Sequence, residues 1–276
     1  MSRIATKFAE LKKRKEAALI PFVTAGDPDL ATTVEVLRAL EAGGADCIEL
    51  GIPFSDPTAD GPTIQRSSER ALKNGVSLSQ IFRLIRDFRQ SSELPIILFG
   101  YFNPIFRYGV KKFCREACRA GADGVLCVDL PPEESAELKR WTDAEGLDLI
   151  YLLSPTSDPN RLRLVARQNG RGFVYYVSVT GVTGARRSLD ERLRSQVERV
   201  RRATSLPVAV GFGISTPKQA AWIAAFADAA VVGSALVEKI EKAKAADKAR
   251  CAGAFVAQLK AAIKQVAGHN RYRARP

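Results

Sequence analysis

Three stretches of the chain follow one pattern. AGGADCIELG (Ala42–Gly51), AGADGVLCVD (Ala120–Asp129) and AFADAAVVGS (Ala225–Ser234) each read as a helix end, a short turn and a buried apolar strand. Glycine in the first two joins supplies the left-handed conformation with which helices commonly stop. Near-repetition of this kind implies one strand–helix unit used several times, which sharply narrows the available folds.

Short continuous apolar runs, as opposed to alternating ones, mark strands covered on both faces. They occur at Ala18–Val23, Asp46–Leu50, Pro95–Phe99, Gly124–Val128, Asp148–Leu153, Phe173–Val177, Pro207–Val210 and Ala229–Val232. Amphipathic helices fall between them. In Leu30–Ala42, Leu30, Val34, Leu37 and Leu40 share a face, and the preceding GDPDL offers Asp27 as N-cap with Pro28 in the first turn. Eight strands alternating with helices predict an α/β fold, a single (β/α)8 TIM barrel, with MSRIATKFAELKKRKEAALI contributing an additional N-terminal helix. An open doubly wound sheet is the alternative, because strand count does not prove closure. No linker or low-complexity tract interrupts the 276 residues. The expectation is one domain, 1–276, with the basic tail 268–276 frayed.

Other classes are disfavoured. No apolar run reaches membrane-spanning length, and the N-terminus lacks the apolar core and cleavage site of a secretory signal, so a cytoplasmic protein is expected. The five cysteines form no paired framework, Cys47 and Cys127 fall in strands, and the lone His269 gives no metal set. The net charge of +12 raises a nucleic-acid reading, but the excess is dispersed over several segments and is not interleaved with stacking aromatics. Solvated helix faces account for it better.

In a barrel of this kind chemistry gathers at the C-terminal strand ends and the loops beyond them. CIELGIPFSDPTADGPTIQ (Cys47–Gln65) puts Glu49 on the second strand and Asp56 and Asp60 in its proline-rich loop. Glu49 and Asp60 are the acid–base candidates, since a carboxyl in an apolar mouth can hold a proton near neutrality. The plainer alternative is that Asp60 caps the helix starting at Pro62. Asp129, ending the fourth strand, suits either a site or a helix entrance. Three glycine-rich stretches follow the last three strands: SVTGVTGA (Ser178–Ala185), GFGIST (Gly211–Thr216) and GSAL (Gly233–Leu236). Loops after strands seven and eight commonly hold phosphate, making the backbones of Gly184, Gly213, Gly233 and Ser234, with the Ser234 hydroxyl, candidate donors. Arg186 and Arg187 are possible helpers. Aromatic residues Phe22, Phe54, Tyr101, Phe106, Tyr175 and Phe212 follow separate strand ends, as a pocket for a flat apolar group requires. Together these features predict an aromatic substrate bearing a phosphate.

The signatures PFVTAGDPD, ELGIPFSDPTADGPTIQ, YFNPIF, SVTGVTGAR, VGFGIST and GSALV occur in this order. Over nearly its whole length the chain resembles the tryptophan synthase alpha chain family. The resemblance implies retro-aldol cleavage of indole-3-glycerol phosphate to indole and glyceraldehyde 3-phosphate, without cofactor or metal. It puts the catalytic pair on Glu49 and Asp60, the indole pocket on Phe22, Tyr101, Tyr175 and Phe212, and the phosphate site on Gly184, Gly213, Gly233 and Ser234. Thr183 would belong to a lid and pair with Asp56. A beta chain carrying pyridoxal phosphate is the implied partner in an alpha2-beta2 heterotetramer, facing the segments of Pro57, Asn103, Phe106 and Pro132. Thr58 and Phe99 depart from the family pattern, where larger apolar residues and Met are more usual. The rival readings are a free-standing lyase and a catalytically silent scaffold barrel.

Overall fold

The apolar runs become eight strands: β1 (Ala18–Thr24), β2 (Ile48–Gly51), β3 (Ile96–Gly100), β4 (Gly124–Cys127), β5 (Asp148–Leu153), β6 (Val174–Val177), β7 (Val208–Gly211) and β8 (Ala229–Val232). In the computed structural model, which describes residues 1–167, 171–177, 186–211 and 213–267, they pair in chain order. The circle closes through parallel pairing of β8 with β1. Closure removes the open-sheet alternative.

Alternation along each strand divides the apolar residues into two cores. On β3, Ile96 and Leu98 face the surrounding helices, while Ile97 points into the barrel. The inner core stacks Ala18 and Ile20, Cys47, Ile97, Leu126, Ile150, Phe173 and Tyr175, and Ala229 and Val231. Its lower end is filled by the helix Arg3–Lys13, whose buried face is Ile4, Phe8 and Leu11. Phe8 packs on Phe173 with ring centroids 5.6 Å apart. Ser2 caps this helix by accepting the Ala5 N–H and donates its hydroxyl proton to Asp148 at 2.6 Å. The expected N-terminal helix is therefore the barrel's floor.

The repeated joins have a common physical function. Asp46 donates its N–H to the Leu19 carbonyl and accepts the Leu19 N–H on its carboxylate, at 2.9 and 2.8 Å. Asp123 does the same with Ile96, at 2.8 Å both ways, and Asp228 with Val208, at 2.9 Å both ways. Each aspartate thus satisfies the start of the preceding strand while opening its own. A cation answers each carboxylate: Lys260 on Asp46 at 2.6 Å, Arg89 on Asp123 at 2.7 Å and Arg201 on Asp228 at 3.2 Å. Glycine ends the helices before the first two joins, with Gly44 at φ +93° and Gly121 at φ +96°.

The helix Leu30–Ala42 forms with the expected limits, but its cap differs from expectation. Asp29, not Asp27, accepts the Thr32 N–H at 2.7 Å. Asp27 is instead held by the Arg70 guanidinium, at 2.7 and 2.8 Å. Among the described residues, no helix is long and apolar enough to cross a membrane. The tail 268–276 lies outside the described residues.

Candidate active site

At the C-terminal end of the strands a cavity of about 600 Å³ opens above the inner core. Its floor continues the inward parity of the barrel: Phe22 on β1, Glu49 on β2, Phe99 on β3, Leu152 on β5, Tyr175 on β6 and Val231 on β8 all line it. Val128 and Val177 add apolar wall. Strand register sets Phe22 beside Glu49, and the Phe22 ring meets Phe99 edge-on at 5.1 Å. Gly51, next to Phe22 on β2, leaves the space this ring fills, because a Cβ there would stand 2.6 Å from it.

Glu49 is 1% exposed, and its Oε1 has no hydrogen-bond partner among the described residues. Burial pushes its pKa well above the usual carboxylate value, which favours the neutral acid. Asp60, on the loop that follows β2, is half-buried and lines the same cavity. Burial raises its pKa as well, opposed by the hydrogen bond it accepts from Tyr101. The two acids thus occupy one cavity in different surroundings: one sealed in an apolar floor, the other held by a phenol near solvent.

Tyr101 stands behind the loop. Its hydroxyl accepts the Ala59 N–H at 2.9 Å, which fixes the residue next to Asp60, and its ring lies 5.2 Å from that of Phe54. Gln65 ties down the loop's far end by donating to the Asp60 carbonyl at 2.8 Å. Gly61 is the N-cap of the helix Pro62–Lys73, without a side-chain cap bond. The Asp60 side chain is therefore not spent on capping.

Across the cavity, Gly213, Ser215, Gly233, Ser234 and Ala235 form the polar side. Gly213 has φ +56°, a conformation that favours glycine, and nothing lies within 4 Å of where a Cβ would point. Gly233 caps the helix Ser234–Lys242. First-turn N–H groups of a helix have no intrahelical acceptor and carry the positive end of its dipole, so this side is electrostatically suited to an anion.

The family model of the tryptophan synthase alpha chain matches residues 8–267. The chain belongs to that family. It is 58% identical over 263 residues to the tryptophan synthase alpha chain of a Geobacter species, spanning 95% of this chain and 98% of the relative. It is 56% identical over 268 residues to that of Geotalea uraniireducens, spanning 97% and 100%. Among solved structures, the tryptophan synthase alpha subunit of Legionella pneumophila superposes with a TM-score of 0.90 at 41% identity, covering 96% of this chain and 99% of that one. A chain of tryptophan synthase from M. tuberculosis gives 0.85 at 34%, covering 96% and 99%.

Set beside this family's expected site, the structure brings Glu49, Asp60, Phe22, Tyr175, Gly213, Gly233 and Ser234 to one cavity. Tyr101 acts through the Asp60 loop. Thr183, Gly184 and Phe212 lie outside the described residues, as do the side chains of Arg186 and Arg187. Phe106, read from sequence as part of the aromatic rim, is 62% exposed on the helix Phe102–Tyr108, where it touches Phe102 and not the cavity. Pro132, expected in a partner-facing segment, is buried in a single 3₁₀ turn. Asp129 accepts the Phe102 N–H at 2.8 Å and so braces the start of the helix carrying Phe106. Ile64, Val128, Leu152, Val177 and Val231 were not singled out from sequence. Stepping by two from each inner-core residue toward the strand end would have found most of them.

Proposed function

We propose that this alpha chain cleaves indole-3-glycerol phosphate by a retro-aldol reaction, with Glu49 moving the protons and Asp60 steadying the cationic ring. The carrying observation is the buried, unpartnered carboxyl of Glu49 in the same cavity as Asp60 and the Gly233–Ser234 helix start. The substrate's phosphate would rest on the N–H groups of Gly213, Gly233 and Ser234, with Gly184 from the neighbouring loop. Its indole would lie between Phe22, Tyr175 and Phe212. Fixing both ends orients the side chain over Glu49 and removes much of the entropy cost of reaching the transition state.

The neutral Glu49 acid protonates indole C3, which breaks the ring's aromaticity and leaves a cation shared with the ring nitrogen. Asp60, ionised, accepts the indole N–H bond and stabilises that cation. Glu49, now a carboxylate, takes the proton from the side-chain hydroxyl. A carbonyl forms there, the bond to C3 breaks, and its electrons restore the aromatic ring. Indole and glyceraldehyde 3-phosphate leave, and Glu49 is again protonated. The cycle consumes no external proton and calls on no metal or cofactor in this chain.

The exposed Phe106 and Asn103 on one short helix supply a face for the beta chain in an alpha2-beta2 assembly, with pyridoxal phosphate confined to that partner. Thr183 and Asp56 would close the lid, and the cytoplasm is the compartment for this chemistry. Incubating the purified chain with indole-3-glycerol phosphate, alone and with a beta chain, tests the reading. Indole and glyceraldehyde 3-phosphate should appear in equal amounts; absence of both in either state rejects it.

A further inference from the structure

Two helices flank β1 at the cavity mouth. Helix Ser234–Lys242 carries the anion-binding end, and helix Pro62–Lys73 continues directly from the loop of Asp60. A substrate held at both ends must match the span between them, so something must hold the helices in register. One attachment is buried: Ser67 meets Thr24 of β1 at 2.6 Å, hydroxyl to hydroxyl. Apolar packing is another, since Ile64 clusters with Phe22 of β1 and with Val237 of Ser234–Lys242.

A charged strap adds direction to this packing. Glu241, near the end of Ser234–Lys242, accepts from Arg66 Nε and Nη2 at 3.1 and 2.9 Å and from Arg70 Nη1 at 2.6 Å. Arg70 turns its other edge onto the buried Asp27 of the loop after β1, at 2.7 and 2.8 Å. Five charge-assisted bonds thus join three strand-end segments, and forked pairs of this kind fix direction as well as distance. The two arginines pull the Glu241 pKa down to about 2, so the strap remains charged throughout the working range.

We infer that Glu241 is a positioning residue for the cleavage reaction: through Arg66 and Arg70 it sets the distance between the phosphate cradle and Asp60. The inference rests on the proposed function. Arg66 is 48% exposed and Glu241 25%, and ion pairs so open to water contribute little to stability. What the Arg66–Glu241 part of the network supplies is therefore geometry more than folding energy.

The test separates span from integrity. Glu241→Gln and Arg66→Lys, the second keeping charge but losing the fork, are assayed with indole-3-glycerol phosphate, and their binding of indole alone and of inorganic phosphate alone is measured. The expected result is a kcat lowered about tenfold in both, with each fragment bound within about twofold of wild type. Thermal midpoints should move by no more than about 3 °C. A kcat within twofold of wild type overturns the inference, and so does loss of fragment binding or of folding in parallel with activity. A wild-type chain that binds both fragments but does not turn over counts against the proposed function instead, and is established before either variant is read.

Discussion

Position 49 puts a carboxyl group where its ionised form is costly, and that cost makes it useful. Burial raises the pKa of Glu49, whose Oε1 has no hydrogen-bond partner among the described residues, and so favours the protonated form that the proposed proton transfer to carbon requires. Glu49→Gln should bind substrate nearly as wild type while kcat falls by at least about 10³-fold, measured in single turnover. Stability should move the other way. A pKa raised by folding means the folded chain holds a proton that the unfolded chain has released. Wild-type stability is then greatest below the unfolded value near 4.5 and is lost as pH rises toward the folded value. Gln carries no such penalty, so in urea titrations its advantage should grow by about 1.4 kcal/mol per pH unit across that window. Asp60→Asn should lower kcat about 10²-fold or more with thermal stability unchanged, because no helix cap is lost. Asp60 was legible in the charge and proline content of its loop, and Glu49 in its place on the strand that leads into it. Tyr101's grip on that loop was not, since its hydroxyl meets an N–H 42 residues away and local sequence carries no sign of that meeting.

Helices and strands were read well where burial decides them, and less well where two residues offer the same chemistry. The limits of the helix Leu30–Ala42 followed from its apolar face, yet Asp27 and Asp29 are equal capping candidates on local grounds. The choice is made by Arg70, far along the chain, which claims Asp27. The repeated joins were recognisable as a motif, but not the role of the aspartates in them. That role depends on strand pairing, because each carboxylate serves the neighbouring strand and a cation from another helix. Asp123→Ala should therefore cost about 3–5 kcal/mol in chemical denaturation, as it orphans the Ile96 N–H and leaves the mostly buried Arg89 without its carboxylate. Replacing Glu93, the exposed partner of Arg3, should by contrast leave the denaturation midpoint close to that of wild type.

For the molecule as a whole, eight apolar runs implied eight strands, and pairing of β8 with β1 is what turns the count into a barrel. The strand termini also predict the cavity, because inward parity continues from core to mouth. What the parity could not reveal is which end would be stoppered. Ile4, Phe8 and Leu11 complete the inner core from below. Deleting residues 1–13 should therefore expose apolar surface, seen as increased binding of a hydrophobic dye, and abolish a single cooperative thermal transition.

That stopper has a consequence for traffic. Among the described residues the vessel is sealed at its base, so nothing small and oily can slip out along the axis. Whatever sits across its opening while the bond breaks becomes the first surface the freed ring meets. Under the proposed function, custody of the product would then rest with whatever covers the rim.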